Sequence, residues 1–341
     1  MNKKVTYLLG AGASRGVLPI VNDIGSNLTG TAQMIEDILA EKKKNPVTSS
    51  DEIKNLEGII KDFRWLASNE VHYDSVDTLA RQLHLQGKIH DLKRLKYAIS
   101  LLFTILQCQN EVSRRHNTLF ISILRHGLNN ILEFPEEIKI LTWNYDAQVE
   151  LAAMSNFEVS TFPEIQRHFA GYPRVEVSPI RKSPDIVHLN GIAGFYETDY
   201  NKAPKINDLF RNLNSNLKQI IESICFSYDA NNWDTILMDH IFSFSWETKR
   251  YDKRMMEYAN AIASETEILV VIGYSFPTFN IDTDRKIFGA FTDKLTDIYY
   301  QDPNPKTEEY LRRTYSINNR VNFHFEQTTG SFLTPTQLAA N

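Results

Sequence analysis

Cysteine is almost missing. Cys108 and Cys225 are the only two in 341 residues, and they stand far apart, so neither a disulfide framework nor a cysteine-held zinc site can be built within one chain. A reducing cytoplasm is the expected setting. Long apolar runs are missing too, and nothing approaches the ~20 residues of a membrane span. Positive charge is not in excess: a net charge of −5 gives no overall pull toward nucleic acid or an anionic membrane. The short basic clusters Lys42-Lys43-Lys44, Arg114-Arg115 and Arg312-Arg313 read as solvated faces. The N-terminal residues imitate a secretory signal, but Gly10 and Gly12 cut its apolar run. What remains, with 42% hydrophobic and 23% charged residues, is the composition of a folded globular chain.

The stretch from Val5 to Gly16 organises the rest. Val5 to Leu9 is too short for a typical helix and rich enough in β-formers for a buried strand. Gly10 and Gly12 then permit a tight turn in which backbone N–H groups could approach an anion, and Ser14 could cap a following helix or donate to a phosphate. The spacing Gly10-x-Gly12-x-x-x-Gly16 lacks the third glycine of the common dinucleotide fingerprint. Val17 to Ile24, with Pro19, Asn22 and Asp23, reads as a fixed segment folding back over the turn, a lid on a ligand.

Residues 26–135 show mostly helical spacing, with Leu79, Leu83 and Leu85 on one face and Ile99, Leu102, Phe103 and Leu106 at three- and four-residue steps. They form an inserted helical module, with Lys42 to Asp51 as its flexible loop. Strand-like runs recur afterwards at Ile138 to Asp146, Asp185 to Gly191, Ile268 to Phe276, Ile298 to Asp302 and Val321 to Phe325. Helical stretches at Ala147 to Ala153, Tyr251 to Ser264, Asp282 to Leu295 and Thr307 to Thr314 lie among them. This alternation predicts an α/β fold with a doubly wound, Rossmann-like parallel sheet built from residues 1–25 and 136–341. Ligands of such sheets lie beyond the carboxyl ends of the strands, which would gather Gly12, Ser14, Asn144, Asp146, His188, Asn190, Gly273, Ser275 and Asp302 on one edge. Residues 193–249 are harder to read; the aromatic run Ile241 to Trp246 suggests a second small module packed against the cleft. Trp143 reads as a wedge at its strand end, and His84, His90, His116, His126 and His168 as surface or helix residues without metal-ligand spacing.

Four blocks together carry a family resemblance. Gly10-Ala11-Gly12-Ala13-Ser14, Thr142-Trp143-Asn144-Tyr145-Asp146, His188-Leu189-Asn190-Gly191 and Gly273-Tyr274-Ser275-Phe276 resemble, in order and strand context, the motif series of sirtuin-like domains. The divergent bacterial branch found in antiphage NADases is the most similar. The resemblance implies NAD as substrate, its diphosphate against Gly10 to Ser14, Asn144 orienting a ribose hydroxyl or the attacking water, and Asp146 near the nicotinamide carboxamide. Gly273, Tyr274 and Ser275 would hold the adenosine side. Asp302 enters from its strand-end position alone, and Asp23 from the lid.

The chemistry suits these residue types. Breaking the nicotinamide–ribose bond leaves a sugar cation, so neutral or anionic groups are needed around it, with a base for the nucleophile. The amide of Asn144 donates and accepts without a charge of its own. One position departs from the family: its catalytic histidine directly precedes the glycine of the third block, where this chain has Asn190. Either His188, two residues earlier and on the same strand face, serves as base, or Asn190 replaces it, or NAD is bound without cleavage. The four cysteines that hold zinc in protein-deacylating sirtuins are missing, so no zinc is expected and hydrolysis is favoured over deacylation. The resemblance further implies an antiphage effector that depletes cellular NAD, working as a homo-oligomer or beside a separately encoded ATPase or phage-sensing partner, since this chain has no P-loop motif. The alternatives are a non-catalytic module that binds NAD or ADP-ribose and an NAD-dependent deacylase.

Overall fold

The computed structural model describes residues 3–20, 23–73, 75–127, 131–173, 183–198, 204–206, 216–227, 238–240, 242–247 and 250–334. Val5–Leu9 forms strand β1 with all five residues buried, as expected of an apolar run covered on both faces. The strands that join it are β2 Ile138–Thr142, β3 Gly171–Tyr172, β4 Ile186–His188, β5 Ile268–Ile272, β6 Asp297–Gln301 and β7 Asn322–Glu326. The sheet has the order β7-β6-β5-β1-β2-β4-β3, and every neighbouring pair is parallel. The chain thus starts at the centre, builds one side through β2, β4 and β3, and then crosses β1 to build the other. This is the doubly wound parallel α/β architecture read from the alternation of elements.

In chain order the helices are α1 Ile24–Lys44, α2 Ser50–Glu70, α3 Val76–Leu85, α4 Ile89–Gln109, α5 Arg114–Ile123, α6 Gln148–Asn156, α7 Phe162–His168, α8 Leu217–Ser227, α9 Arg250–Glu265, α10 Ile281–Ala290 and α11 Glu308–Tyr315. Alternate strand residues face opposite layers. Leu8, Leu141, Val187, Leu269, Val271, Ile298 and Tyr300 pack with α9, α10 and α11 through Ile262, Ile287, Phe288, Leu311 and Tyr315. His188, of the other parity, meets Glu150 of α6.

Tertiary contacts gather the chain into two units, one of residues 1–15, 112–192 and 243–341, the other of residues 16–111 and 193–242. These boundaries differ from those at 25/26 and 135/136 drawn from the helical spacing. α5 explains part of the difference: Phe120 packs edge-on against Phe169 at 5.5 Å, and Phe134 meets Phe169 at 4.9 Å, which places residues 112–135 with the sheet.

Within the helical unit, α1 and α2 are neighbours, and α4 buries every residue from Leu95 to Cys108. Residues 193–242 add α8 and a small antiparallel sheet of Phe195–Thr198, Pro204–Ile206 and Met238–His240. Two expectations fail here. Lys42–Lys44 are not loop but the last turn of α1, where Lys42 pairs with Glu52 and Glu222 and Lys43 with Glu57; cations at a helix C-terminus also suit its dipole. Leu85 is exposed while Leu79 and Leu83 are buried; six residues along a helix is a rotation of roughly 240° away from Leu79. Of the expected lid, Val21 and Asn22 lie outside the described residues, Leu18 is buried, and the Val17 carbonyl accepts from Asn110 Nδ2.

Candidate functional site

Register builds the site. Leu9 pairs with Ile272 on one side and Thr142 on the other, Thr142 pairs with His188, and Ile272 pairs with Gln301. One row therefore crosses the carboxyl edge as Gln301, Ile272, Leu9, Thr142 and His188, and the next residues out are Asp302, Gly273, Gly10, Trp143 and Leu189. Asn144 and Asn190 stand one step further.

At the centre, where strands diverge to the two sides, the turns after β1 and β5 are fused backbone to backbone. Gly12 N–H donates to the Gly273 carbonyl at 2.9 Å, and Gly10 N–H to that of Ile272 at 3.0 Å. A Cβ on Gly10 would fall 2.5 Å from Tyr274 Cα, and one on Gly12 2.8 Å from Gly273 Cα. Gly273, at φ +59°, would place its own Cβ 2.5 Å from Ala13 N. The glycines are required by each other. The expected cradle is therefore altered: Ala13 and Ser14 N–H groups donate to the Gly10 and Ala11 carbonyls, and Ala11–Ala13 is a single 3-10 turn, with no α-helix start directly behind it. Exposed Ala11 is the turn's remaining candidate donor. The carbonyl side of the turn is held by Arg115 of α5, whose Nη2 donates to the carbonyls of Gly12, Ala13 and Arg15 at 3.1, 2.8 and 2.7 Å.

Beside this junction, at the tips of β2 and β4, lies a buried polar cluster. Asn144 Nδ2 donates to Ser14 Oγ at 3.2 Å, and Ser14 hydrogen-bonds in turn to Asp146. Burial pushes the Asp146 carboxyl above its ordinary range, against the opposing pull of the Ser14 and Gln148 N–H hydrogen bonds and of His188. His188 Nε2 meets Glu150 Oε1 of α6 at 2.6 Å, with both side chains inaccessible to solvent. Asn190 Nδ2 donates to the Trp143 carbonyl.

Five polar atoms of this cluster, Asn144 Oδ1, Asn190 Oδ1, His188 Nδ1, Glu150 Oε2 and Gln148 Nε2, are buried without a partner among the described residues. Most buried polar atoms in folded proteins are paired, so such a concentration marks a place where further partners belong. Asn144 is 7% exposed, enclosed at its strand end. Phe244 packs edge-on to Tyr145 at 6.2 Å, and Ser243 N–H donates to the Asn190 carbonyl, so the segment 243–246 of the sheet unit covers this cluster. Ile241 lies outside the described residues.

The other predicted positions separate. Tyr274 turns its ring into the core, stacked on Trp143 at 6.0 Å, and donates to Asp284 at 2.7 Å. Its side chain is thus structural, as is that of Trp143, which donates to the other Asp284 oxygen at 3.1 Å. Ser275 is exposed beside this strand end. Asp302 is half-buried and caps its own turn by accepting from Asn304 N–H. Asp23 is exposed and begins α1 in the helical unit, where its carbonyl accepts from Ser26 and Asn27. His116 is buried with neither ring nitrogen bonded among the described residues, and burial brings its pKa down to about 3.

Three residues of the site have no part in the motif blocks. Glu150 has a signal in retrospect, a lone carboxylate in the apolar run Val149 to Met154 of a helix buried almost all round. Arg115 and Asp284 have none. Among the described residues no group of three or more His, Cys, Asp or Glu side chains is arranged to hold a metal. No helix among them is long and apolar enough to cross a membrane. Comparison with protein-family models and with curated proteins returned no match, so what can be said of function follows from this geometry and from the motif blocks.

Proposed function

We propose that the sheet unit binds NAD along its carboxyl edge and hydrolyses the bond between nicotinamide and ribose. The observation that carries this reading is the His188–Glu150 pair set among unpartnered amide oxygens. With its Nε2–H held by the Glu150 carboxylate, His188 keeps Nδ1 as a basic nitrogen without a competing partner, the arrangement in which a carboxylate orients an imidazole base. Of the alternatives for the base, this favours His188 over Asn190.

In the reaction the C–N glycosidic bond breaks with its electron pair leaving on neutral nicotinamide. The sugar cation is met by carbonyl oxygens such as Asn144 Oδ1 and Asn190 Oδ1, whose partial negative charge opposes the developing positive charge. Water then adds at the anomeric carbon and gives its proton to His188 Nδ1. Ser14 and Asp146 hold the Asn144 amide in place through the hydrogen bonds already described. The diphosphate would lie over the exposed side of the glycine turn, at Ala11 and Ser275, and the Gly273 carbonyl keeps the turn's inner N–H occupied. Asp302 remains a candidate by its strand-end position alone.

A second reading has its own support. Asn144, His188 and Asn190 are each less than one tenth exposed, as in a module that binds NAD or ADP-ribose and gates a partner without turnover. Incubating the protein with NAD, with and without an acylated peptide, and chromatographing the products separates the possibilities. Free ADP-ribose without peptide is the expected result; product only with peptide means a deacylase, and tight binding without product means the sensor. The biological role that goes with hydrolysis is an antiphage effector depleting cellular NAD in the cytoplasm, as a homo-oligomer or with a separately encoded ATPase or phage-sensing partner. Co-expression with that partner during infection, reading NAD levels, tests it.

A further inference from the structure

Asp284 lies outside every motif block, yet it is the point at which both halves of the site are tied. Its carboxylate is 1% exposed. Oδ1 accepts from the indole Nε1–H of Trp143 at 3.1 Å, and Oδ2 accepts from the Tyr274 hydroxyl at 2.7 Å. Trp143 adjoins Asn144 and offers its carbonyl to Asn190; Tyr274 adjoins Gly273, the residue locked against Gly12. The Tyr274 oxygen also accepts from Asn280 Nδ2 at 3.0 Å, while Asn280 Oδ1 is buried without a partner among the described residues.

We propose that Asp284 is a positioning residue that holds the β2 and β5 tips together, and that its protonation reverses the hydrogen-bond chain running through Tyr274 to Asn280. The donors and acceptors of these groups dictate the reversal. With Asp284 ionised, Trp143 and Tyr274 both donate to it and Asn280 donates to Tyr274. Once Oδ2 carries a proton, it must donate to the Tyr274 oxygen, so the Tyr274 hydroxyl needs a new acceptor. Asn280 Oδ1 becomes that acceptor when the amide rotates half a turn. The indole has only its one N–H and cannot reverse; it is left on a neutral carbonyl oxygen, where its hydrogen bond is weaker than to a carboxylate. The tie to Trp143 therefore tightens on ionisation and slackens on protonation.

Burial, opposed by the two donors, pushes the Asp284 carboxyl up to about 7, which places the reversal in the neutral range. The titratable groups against this chain are Tyr274 and, from α11, Tyr315, both pushed upward and neutral there; Arg285, the next residue along α10, directs its guanidinium to the Thr314 carbonyl. No cation forms an ion pair with Asp284 among the described residues.

The tie between the strand tips stands independently of any activity, and only its consequence for turnover rests on the NAD reading. The test is a pH titration of the Trp143 indole N–H by ¹H–¹⁵N spectroscopy on the full chain, with Trp143→Phe to identify its signal among those of the four tryptophans. The signal is expected to move with one midpoint near 7 in the parent protein and to stay fixed in Asp284→Asn. In Tyr274→Phe the midpoint should move upward, because the carboxylate loses a donor. A parent signal that does not titrate, or one that titrates equally in Asp284→Asn, overturns the proposal. If hydrolysis is real, kcat follows the same midpoint while KM stays put. A titrating indole in a protein that leaves NAD intact supports the tie and removes only the hydrolase reading.

Discussion

The two halves of the carboxyl edge are built on opposite terms. At the β1–β5 junction the inner side is filled: three glycines pack backbone on backbone, their N–H groups all donate to neighbouring carbonyls, and Arg115 takes up carbonyls of the turn. At the β2–β4 tips the side chains are also buried, but five polar atoms lack partners among the described residues. The first region is complete in itself. The second is satisfied only by something added, and burying it unfilled costs about 1–3 kcal/mol for each lost partner. Sequence motifs drew equal attention to both, whereas the hydrogen bonds separate them: the junction pairs its inner groups with one another, and the cluster leaves atoms unpaired among the described residues.

That contrast can be broken from either side. The largest effect is expected at the junction. Gly273→Val combines a positive φ with a Cβ 2.5 Å from backbone, and should cost about 4 kcal/mol of stability through strain and overpacking, read as a lowered Tm. A melting curve like the parent's would mean the junction is not locked. In the polar cluster the loss should be kinetic. Asn144→Ala removes one hydrogen bond to Ser14, worth about 1 kcal/mol, yet should slow NAD hydrolysis by about 10²–10³-fold; full activity in this variant would remove Asn144 from the site.

Glu150→Gln keeps the shape of the partner of His188 but removes its charge, and about 100-fold slower turnover is expected at little change in KM. Equal loss in kcat and affinity would point to a structural pair. Arg115→Ala removes the guanidinium donor from three carbonyls, of which Gly12 keeps the Arg15 N–H, and should destabilise by about 2 kcal/mol, with faster amide exchange at Ala13 and Ser14. Protection there unchanged would show that the turn holds itself.

The smallest effect is a slope with pH. The folded pKa of Asp284 is raised from 3.8 to about 7, so between those values the folded state holds the proton more tightly than the unfolded chain. Its contribution to stability is fully present at the acid end and declines as pH rises toward 7. The Tm of the parent minus that of Asp284→Asn should therefore fall across this window and level off above it. His116, with a pKa brought down to about 3, acts in the opposite sense below its ordinary value, which is why the difference from the variant is the informative quantity.

Much of the fold was legible from local pattern. Short runs ending in Gly, Asn or Asp predicted five strands of the sheet, because a strand buried on both faces is largely apolar and its exit must turn, and Val321 to Phe325 predicted a sixth, the part-exposed edge strand β7. β3, only Gly171–Tyr172, has too few residues to carry a pattern. The membership of residues 193–242 in the helical unit was hidden for another reason: a unit assembled from two distant segments leaves no composition boundary. At the site, Asn144, Asp146 and His188 stood in motif blocks and do meet Ser14 and Glu150. Tyr274 stood in one too, but its hydroxyl serves Asp284 in the core.

Chain order and residue type were enough to determine that β1 is buried, that strands alternate with helices in a parallel sheet, and that its exits carry small and polar residues, since each follows from the one or two faces a local segment must cover. Only the tertiary structure decided which exits touch. Glycine is required at 10 and 12 because the β5 turn lies against them, and His188 acquires a carboxylate because α6 packs on the strand face to which its parity turns it. A side chain's chemistry is set by its partners, and those partners come from parts of the chain up to 326 residues away.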